Sequence, residues 1–516
     1  MQVGVLGMAA LVGELQVRPM GRHDADQHIG RMTFAKMGTK AALSTLNCFH
    51  SVPPLATLES ASRREGCPKR RQRGVWHPKG VTESGFAHAY RALRHRNFRL
   101  FFAGQSVSLI GTWMTRVATA WLVYRLTKSA VLLGTVSFAG QIPTFLLAPL
   151  AGVLVDRWNR RTVLVWTQAL AMVQSLALAF LTLTHRITVA EILALSAFQG
   201  CINAFDMPGR QSFMLEMVEG RDDLQNAIAI NSSMVNLARL VGPSLAGMLI
   251  AVTSEGWCFF IDGVSYIGVI VSLLAMRLPE RQAAALSRAR DSMLVQLKEG
   301  WDYVRGFAPI RNILLLFALV SLMGIPFVVL MPIFAAQVLK GGPHTLGFLM
   351  GAMGVGSLAS ALSLVLRKSV RGLLKMIPIA AAVFGVGLIL FGLSHRLWLS
   401  MLLLLLVGFG MMQGLTASNT IIQTIVPEDK RGRVMSYYTV AFVGMSPFGS
   451  LLAGALATAV GAPWTVMLSG VCCIVGAAWF VTRIQGIRKV MGPIYEQLGI
   501  IPTMSSPELE EEAGGN

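Results

Sequence analysis

The stretch Gly152–Arg161, GVLVDRWNRR, sets one acid and three arginines between two long apolar runs. Gly152 and Asp156 are one helical turn apart, so the glycine allows close helix approach on the face that carries the carboxylate. Such a carboxylate can cap the positive end of another helix or pair with an arginine. Five more ionisable residues, Arg116, Glu191, Asp206, Arg239 and Asp262, lie inside or at the ends of apolar runs, where charge is costly and each is a functional candidate. Arg239 stands one turn before Pro243 in NLARLVGPSLAG. There Gly242 and Gly247 allow close contact with a neighbouring helix, and Pro243 removes a backbone hydrogen bond and permits bending. An arginine at a bilayer centre costs roughly 2.5–3.5 kcal/mol on insertion scales, so Arg239 is expected to face a cavity and hold an acidic or carbonyl partner. No acid or base falls deep in the apolar runs after residue 311. No nucleophile and base recur near one depth, and no GxxxxGK[ST] phosphate loop occurs, which argues against an enzyme or an ATPase. The six cysteines suggest neither a disulfide framework nor a metal site, and no cofactor is implied.

The elements that must position these groups follow from hydropathy. Of 516 residues 53% are hydrophobic and only 14% charged, too few charges for a soluble protein of this length. Apolar runs of about 20 residues recur, each long enough to cross a hydrocarbon core as a helix. They predict an all-α polytopic membrane protein with twelve transmembrane helices, at about 98–122, 132–155, 162–183, 188–207, 229–252, 257–276, 312–337, 345–366, 374–394, 397–425, 434–459 and 463–482. Arginine and lysine concentrate on one face of this arrangement, among them Arg157, Arg160, Arg161 and Arg433. By the positive-inside rule that face is cytoplasmic and both termini lie inside. The net charge of +19 is then explained by topology and a basic leader rather than by nucleic-acid binding. Residues 1–85 form that leader, expected to be disordered and outside the translated protein if synthesis starts at Val81.

The chain also repeats itself. RNFRLFFAGQSVSLIG (96–111) recurs as RNILLLFALVSLMG (311–324), Leu133-Gly134 as Leu346-Gly347, Gln199-Gly200 as Gln413-Gly414, and GPSLAG (242–247) as GSLLAG (449–454), at an offset of about 210 residues. Two pseudo-symmetric six-helix bundles follow, 88–278 and 311–485, with a cytoplasmic tail 486–516. Parallel repeats of this kind suit a transporter that rocks its halves about a central site. The linker 279–310 carries Met293, Leu294, Leu297, Trp301 and Val304 at helical spacing against Arg290, Lys298 and Arg305, the pattern of an amphipathic helix on the cytoplasmic surface.

GVLVDRWNRR resembles the loop between spans 2 and 3 of the major facilitator superfamily, with Gly152, Asp156, Arg157, Arg160 and Arg161 in the family's places and Asn159 where a glycine is usual. Asn tolerates the left-handed backbone that such a glycine would supply. NLARLVGPSLAG is similar to the fifth-span element that the family associates with export, Ala246 replacing a usual glycine. NAFDMPGRQSFMLEMVEGRDDLQNAIAINSS (203–233), VPEDKRGRVMSYY (426–438) and LKEGWDYVRGF resemble the enterobactin-exporter-like and macrolide-efflux-like branch, and the likeness runs from about residue 88 to 485.

The resemblance implies that Asp156 latches the two halves on the cytoplasmic side against the start of span 11, where Arg433 lies nearby and Ser436 is a candidate cap; Asp206 is expected to join Arg157, Arg161 or Arg210 in the same latch. It implies that spans 1, 4, 7 and 10 line a cavity with spans 2, 5, 8 and 11 at its sides, which makes Gln105, Trp113, Gln199, Asn203, Gln413, Asn419 and Gln423 the cavity candidates, and the charged Arg116 and Arg239 join them as substrate or coupling candidates. An apolar cavity with scattered hydrogen-bonding groups suits an amphipathic organic molecule. Asp262 and Glu191 are the remaining candidates for binding a proton. The expected function is proton-driven efflux of a small organic compound, drug or siderophore-like, by a monomer in the plasma (inner) membrane. An importer of the same superfamily and a non-transporting membrane sensor are the alternatives.

Overall fold

In a lipid core no water satisfies a bare backbone group, so a chain this apolar must satisfy its own peptide groups within each segment, as helices do. The computed structural model describes residues 91–498, apart from 219–220, 278–292, 366 and 368–369. The leader with Val81, the linker before Met293 and the tail beyond residue 498 lie outside the described residues. What is described is helical throughout. A single 3-10 turn, Arg91–Arg94, leads into α1, Arg96–Thr127. Next come α2, Ala130–Arg157; α3, Arg160–Leu183; and α4, Val189–Met217. Then follow α5, Arg221–Val252; α6, Glu255–Ala275; and a short α7, Met293–Gly306. The second half of the chain forms α8, Ala308–Val338; α9, Pro343–Val365; α10, Leu373–Leu393; α11, Leu397–Ile425; α12, Glu428–Val460; and α13, Ala462–Gln497.

Ten of the described helices are long and apolar enough to cross a membrane. α1 and α4, with 32 and 29 residues, meet the length but carry Arg96, Arg99, Arg116 and Arg125, or Glu191, Asp206, Arg210 and Glu216. α4 runs well past the expected end of its span near 207, through Pro208. Asp206 therefore lies within the helix rather than at its end, because neighbouring helices let a membrane helix tolerate proline.

Two helices of the second half are irregular. α8 widens into π-turns at Val320–Gly324 and Phe334–Val338 around a 3-10 stretch Ile325–Leu330, and α12 widens at Val440–Gly444. Pro326, Pro332 and Pro447 follow or interrupt these turns, where a missing N–H and a bulky ring break the regular ladder. The Ser321 hydroxyl donates to the Phe442 carbonyl, so the α12 π-turn is tied to the first one of α8.

Within residues 96–275, α1 packs on α5 and α6, α2 on α4, and α3 on α4 and α6; within 308–497, α9 packs on α11, and α10 on α11 and α13. Two main crossings join the first half to the second, α5 with α9 and α2 with α12, with smaller contacts of α8 on α1 and α2. Each main crossing is a backbone contact at glycine. A Cβ on Gly347 would stand 2.6 Å from the Pro243 carbonyl oxygen, and one on Gly247 would stand 2.6 Å from that of Pro343. In the other crossing a Cβ on Gly134 would stand 2.5 Å from the Ser450 oxygen, and one on Gly454 would stand 2.7 Å from that of Ala130. The partners correspond through the internal repeat: Gly134 matches Gly347, and GSLLAG matches GPSLAG. The arginine-bearing ends behave differently. A Cβ on Gly152 would meet nothing within 4 Å, and Leu150 and Val153 are exposed. The close approach expected at Gly152 is absent in this structure, because no neighbouring helix reaches that face of α2.

These contacts set opposite expectations for two small substitutions. Gly247→Ala pushes a methyl into backbone that cannot rotate away and should cost about 1–3 kcal/mol. Gly152→Ala, in a helix with open space beside it, should be neutral or stabilising by up to about 1 kcal/mol. Thermal unfolding of the detergent-solubilised full chain reads both, and an equal response of the two variants would contradict the packing described.

Candidate functional site

The arginine-rich end is built from the end of α2, the start of α3 and the second half of α4. Asn159 has φ −69° and ψ 112°, extended rather than left-handed, and its side chain accepts the Thr162 N–H as the N-cap of α3. Capping rather than glycine-like freedom therefore explains asparagine at this place. Past that cap the basic pair splits. Arg160 reaches Glu216 on α4 at 2.7 Å, and Arg161 donates to the Leu274 carbonyl of α6 at 2.5 Å. Arg157 is exposed, and the side chain of Asp156 lies outside the described residues. Asp206 pairs with Arg210, one turn on, at 2.5 Å, and its other oxygen accepts from Thr167 at 3.1 Å and Gln168 at 2.7 Å. Asp206 thereby ties α4 to α3.

Arg433 stands apart from this cluster. It pairs with Glu299 of α7 at 2.5 Å, while Trp301 and Tyr303 of α7 lie against Tyr437 and Lys430 of α12, at 5.9 Å between rings and 4.7 Å from ammonium to ring. A cavity of about 440 Å³ opens between the two helices, lined by Glu299, Asp302, Tyr303, Lys430 and Arg433. Val304 of α7 is buried, as the expected amphipathic face requires, but Trp301 is 52% exposed. Ser436 is not a cap. It donates to the Gly432 carbonyl of its own helix at 3.1 Å, and Pro427 occupies the N-cap of α12.

A second cluster lies in the middle of the first half. A Cβ on Gly242 would meet the Trp113 Cβ at 2.5 Å, so the glycine lets α5 cross α1 at that tryptophan. Arg116 and Arg239 both stand over the Trp113 ring, their guanidinium carbons 4.7 and 5.4 Å from its centroid. Arg239 is 2% exposed, and its Nε and Nη1 are buried with no hydrogen-bond partner among the described residues. The acidic or carbonyl partner expected for it is not there; an indole and a second arginine are its neighbours. Asp262, also buried, accepts from Thr115 of α1 at 2.9 Å and Ser175 of α3 at 2.8 Å, joining three helices through one carboxylate. Glu191 closes a capping box with Thr188 at the start of α4, which gives it a helix-end role.

The polar residues expected along the cavity divide by their partners. Gln105 is buried, and Gln199 donates to Asn203, one turn away, at 3.2 Å. Gln413 accepts from Ser360 at 2.8 Å and Ser363 at 3.3 Å, so it ties α11 to α9. Asn419 is fully buried, accepts from Gln423 at 2.7 Å, and keeps an Nδ2 without a partner among the described residues. Sequence reasoning missed Glu255, which is buried and holds Arg125 through two bonds of 2.8 and 3.1 Å where α6 begins and α1 ends. It missed Glu216 and Glu299 as well. An acid followed by a long apolar helix gives no hint which distant arginine it meets.

A family model described as transmembrane secretion effector matches residues 87–491. The staphyloferrin A transporter of Staphylococcus aureus is 25% identical over 388 residues, spanning 75% of this chain and 96% of that protein. The enterobactin exporter of Escherichia coli is 26% identical over 366 residues, 70% of this chain and 85% of its own length. Among solved structures, a bacterial homologue of the human lysosomal transporter Spinster, in an inward-facing and unoccupied conformation, matches with a TM-score of 0.60 at 14% identity, covering 78% of this chain and 98% of that one. That last likeness is one of fold.

Two of these ion pairs, Asp206–Arg210 and Glu299–Arg433, should respond very differently to loss of charge. Asp206→Asn leaves Arg210 uncompensated in a buried site and should cost roughly 3–5 kcal/mol. Glu299→Gln breaks a pair whose acid is half exposed and should cost at most about 1 kcal/mol. Unfolding midpoints of the two purified variants test the contrast.

Proposed function

This chain belongs to the transmembrane secretion effector family of the major facilitator superfamily, and on that premise we propose that it exports a small organic compound by alternating access. Members of this superfamily are transporters and not enzymes. In this reading α1 and α4 join the ten more apolar helices to make twelve crossings, six in each half of the chain, and α7 lies between the halves on the cytoplasmic side. The arginines near the ends of α2, α3, α8 and α12 put those ends, and both termini, in the cytoplasm of a cell bounded by this plasma membrane.

The observation that carries the reading is the placement of the two glycine crossings. They close the end opposite the arginines, while Gly152 stands in open space and the neighbouring Leu150 and Val153 are exposed. A molecule closed on the outside and open to the cytoplasm is in the state that loads a compound for export. To release it, the Gly134–Ser450 and Gly247–Gly347 contacts part and the cytoplasmic ends come together. Asp156, Arg157, Arg160 and Arg161 then meet the second half of the chain as a latch, with Arg433 as a partner once it leaves Glu299. Outward direction draws support from relatives named as an exporter and as efflux pumps. Drive by protons draws support from the acids of the first half, since Asp206 and Asp262 are ionisable groups held inside membrane helices.

Uptake into inside-out vesicles with an acidified interior tests this directly, using an amphipathic drug panel chosen from the sensitivities of a deletion strain. Net uptake that collapses with the pH gradient is the expected result. Asp156→Asn should slow it roughly tenfold, equivalent to about 1.4 kcal/mol lost from the latched state. Accumulation in right-side-out vesicles instead would identify an importer, and no flux in either orientation would identify a non-transporting protein.

A further inference from the structure

The middle of the first half holds more positive charge than it neutralises. Arg239 is 2% exposed, and two of its three guanidinium nitrogens are buried without a hydrogen-bond partner among the described residues. Every other buried arginine pairing described above ends on a carboxylate or a carbonyl. The charged neighbour of Arg239 is a second cation, Arg116, and the two share one face-forming residue, Trp113, at 5.4 and 4.7 Å. Asp262 accepts from Thr115 and Ser175 through one carboxylate oxygen, and its other oxygen is buried without a partner among the described residues. Arg116 is exposed whereas Arg239 is enclosed, so the buried charge that lacks an acidic or carbonyl partner among the described residues is that of Arg239.

Cation–π contact offsets only part of what an arginine costs inside a bilayer, and two arginines draw on the same indole. A guanidinium keeps its proton, so the remaining way to compensate the charge is an anion, for which its planar fork provides a two-point fit to a carboxylate. The position is suited to a transported ligand. Gly354 of α9 comes so close to α5 that a Cβ on it would stand 3.3 Å from the carbonyl oxygen of Arg239, so the backbone that carries the arginine lies against the second half while its guanidinium lies over Trp113 of α1.

We propose that Trp113, Arg116 and Arg239 form a subsite for the anionic end of the transported compound, making the substrate an organic anion with an apolar body. The inference rests on the exporter reading above and adds the chemical class of its cargo. Arg239 binds the carboxylate, Arg116 strengthens the local field, and Trp113 covers both guanidinium groups while the site is empty of ligand. Because α5, which carries Arg239, also crosses α9, a ligand held there bears on the helix that joins the two halves.

The test uses three probes of one shape and different charge, 1-naphthoate, 1-naphthamide and 1-naphthylmethylammonium, with the full chain in proteoliposomes. Binding and flux are measured separately. Naphthoate should bind at least tenfold more tightly than naphthamide. Arg239→Gln should erase that preference, while Arg239→Lys, which keeps the charge and loses the fork, should retain part of it. Equal binding of the anion and the amide by the unsubstituted protein overturns the proposal without any variant, as does a monodisperse Arg239→Gln protein that still prefers naphthoate, or binding of none of the three. Transport of the amide or the ammonium with no binding of naphthoate removes the subsite and leaves the exporter reading standing. Charge-selective binding that depends on Arg239, with no flux of any probe, keeps the subsite and removes the exporter reading.

Discussion

Helices in lipid gain nothing from hiding apolar surface from one another, because the surrounding tails are as apolar as they are. Their association depends on how closely backbones can approach. In this molecule that constraint is met at two crossings where glycine faces a carbonyl oxygen, Gly347 over Pro243 and Gly134 over Ser450, each with a reciprocal glycine one turn away at Gly247 and Gly454. Dispersion falls off within an ångström or so of separation, so any side chain larger than hydrogen at these places forfeits the contact that joins the halves. The same kind of close approach recurs where Gly354 of α9 meets the backbone of Arg239 and Leu240, and where Gly242 lets α5 cross α1 at Trp113.

The two halves divide the work unevenly although short strings of sequence recur between them. The buried charged groups among the described residues, Asp206, Arg239, Glu255 and Asp262, fall in the first half. The second half replaces them with neutral hydrogen-bonding residues such as Gln413 and Asn419. It carries instead the irregular backbone, the π-turns of α8 and α12. Charge resists movement through lipid, whereas a widened helical turn accommodates it. One half is thus equipped to hold electrostatic partners and the other to bend around them.

Much of this was legible in the sequence because it depends on local composition. Hydropathy located the helices, since α11 spans the expected 397–425 and α3 and α10 differ from expectation by a few residues. Family membership was legible from GVLVDRWNRR and NLARLVGPSLAG. The internal repeat, read from short matched strings, gains a physical meaning in the equivalent glycine crossings. What stayed hidden depends on pairing across distance. Nothing near Glu255 in the chain points to Arg125, and nothing near Arg433 points to Glu299. Asn159 was misread because a substitution for glycine suggests backbone freedom, while the structure uses its side-chain oxygen. The 3.6-residue period also fails in α8, where π and 3-10 turns alternate.

That alternation changes what α8 shows to its neighbours. Each π-turn inserts about one extra residue, which rotates all later side chains by about 100° around the axis. The stripe that meets α12 and α13 below Val320 is therefore a different stripe in sequence from the one that lies beyond Ile325. One rod can in this way face two environments along its length, as a twisted ribbon shows first one side and then the other. Losing a single residue from Val320–Gly324 would leave its hydropathy nearly unchanged and yet turn the whole far end of α8 toward the wrong partners.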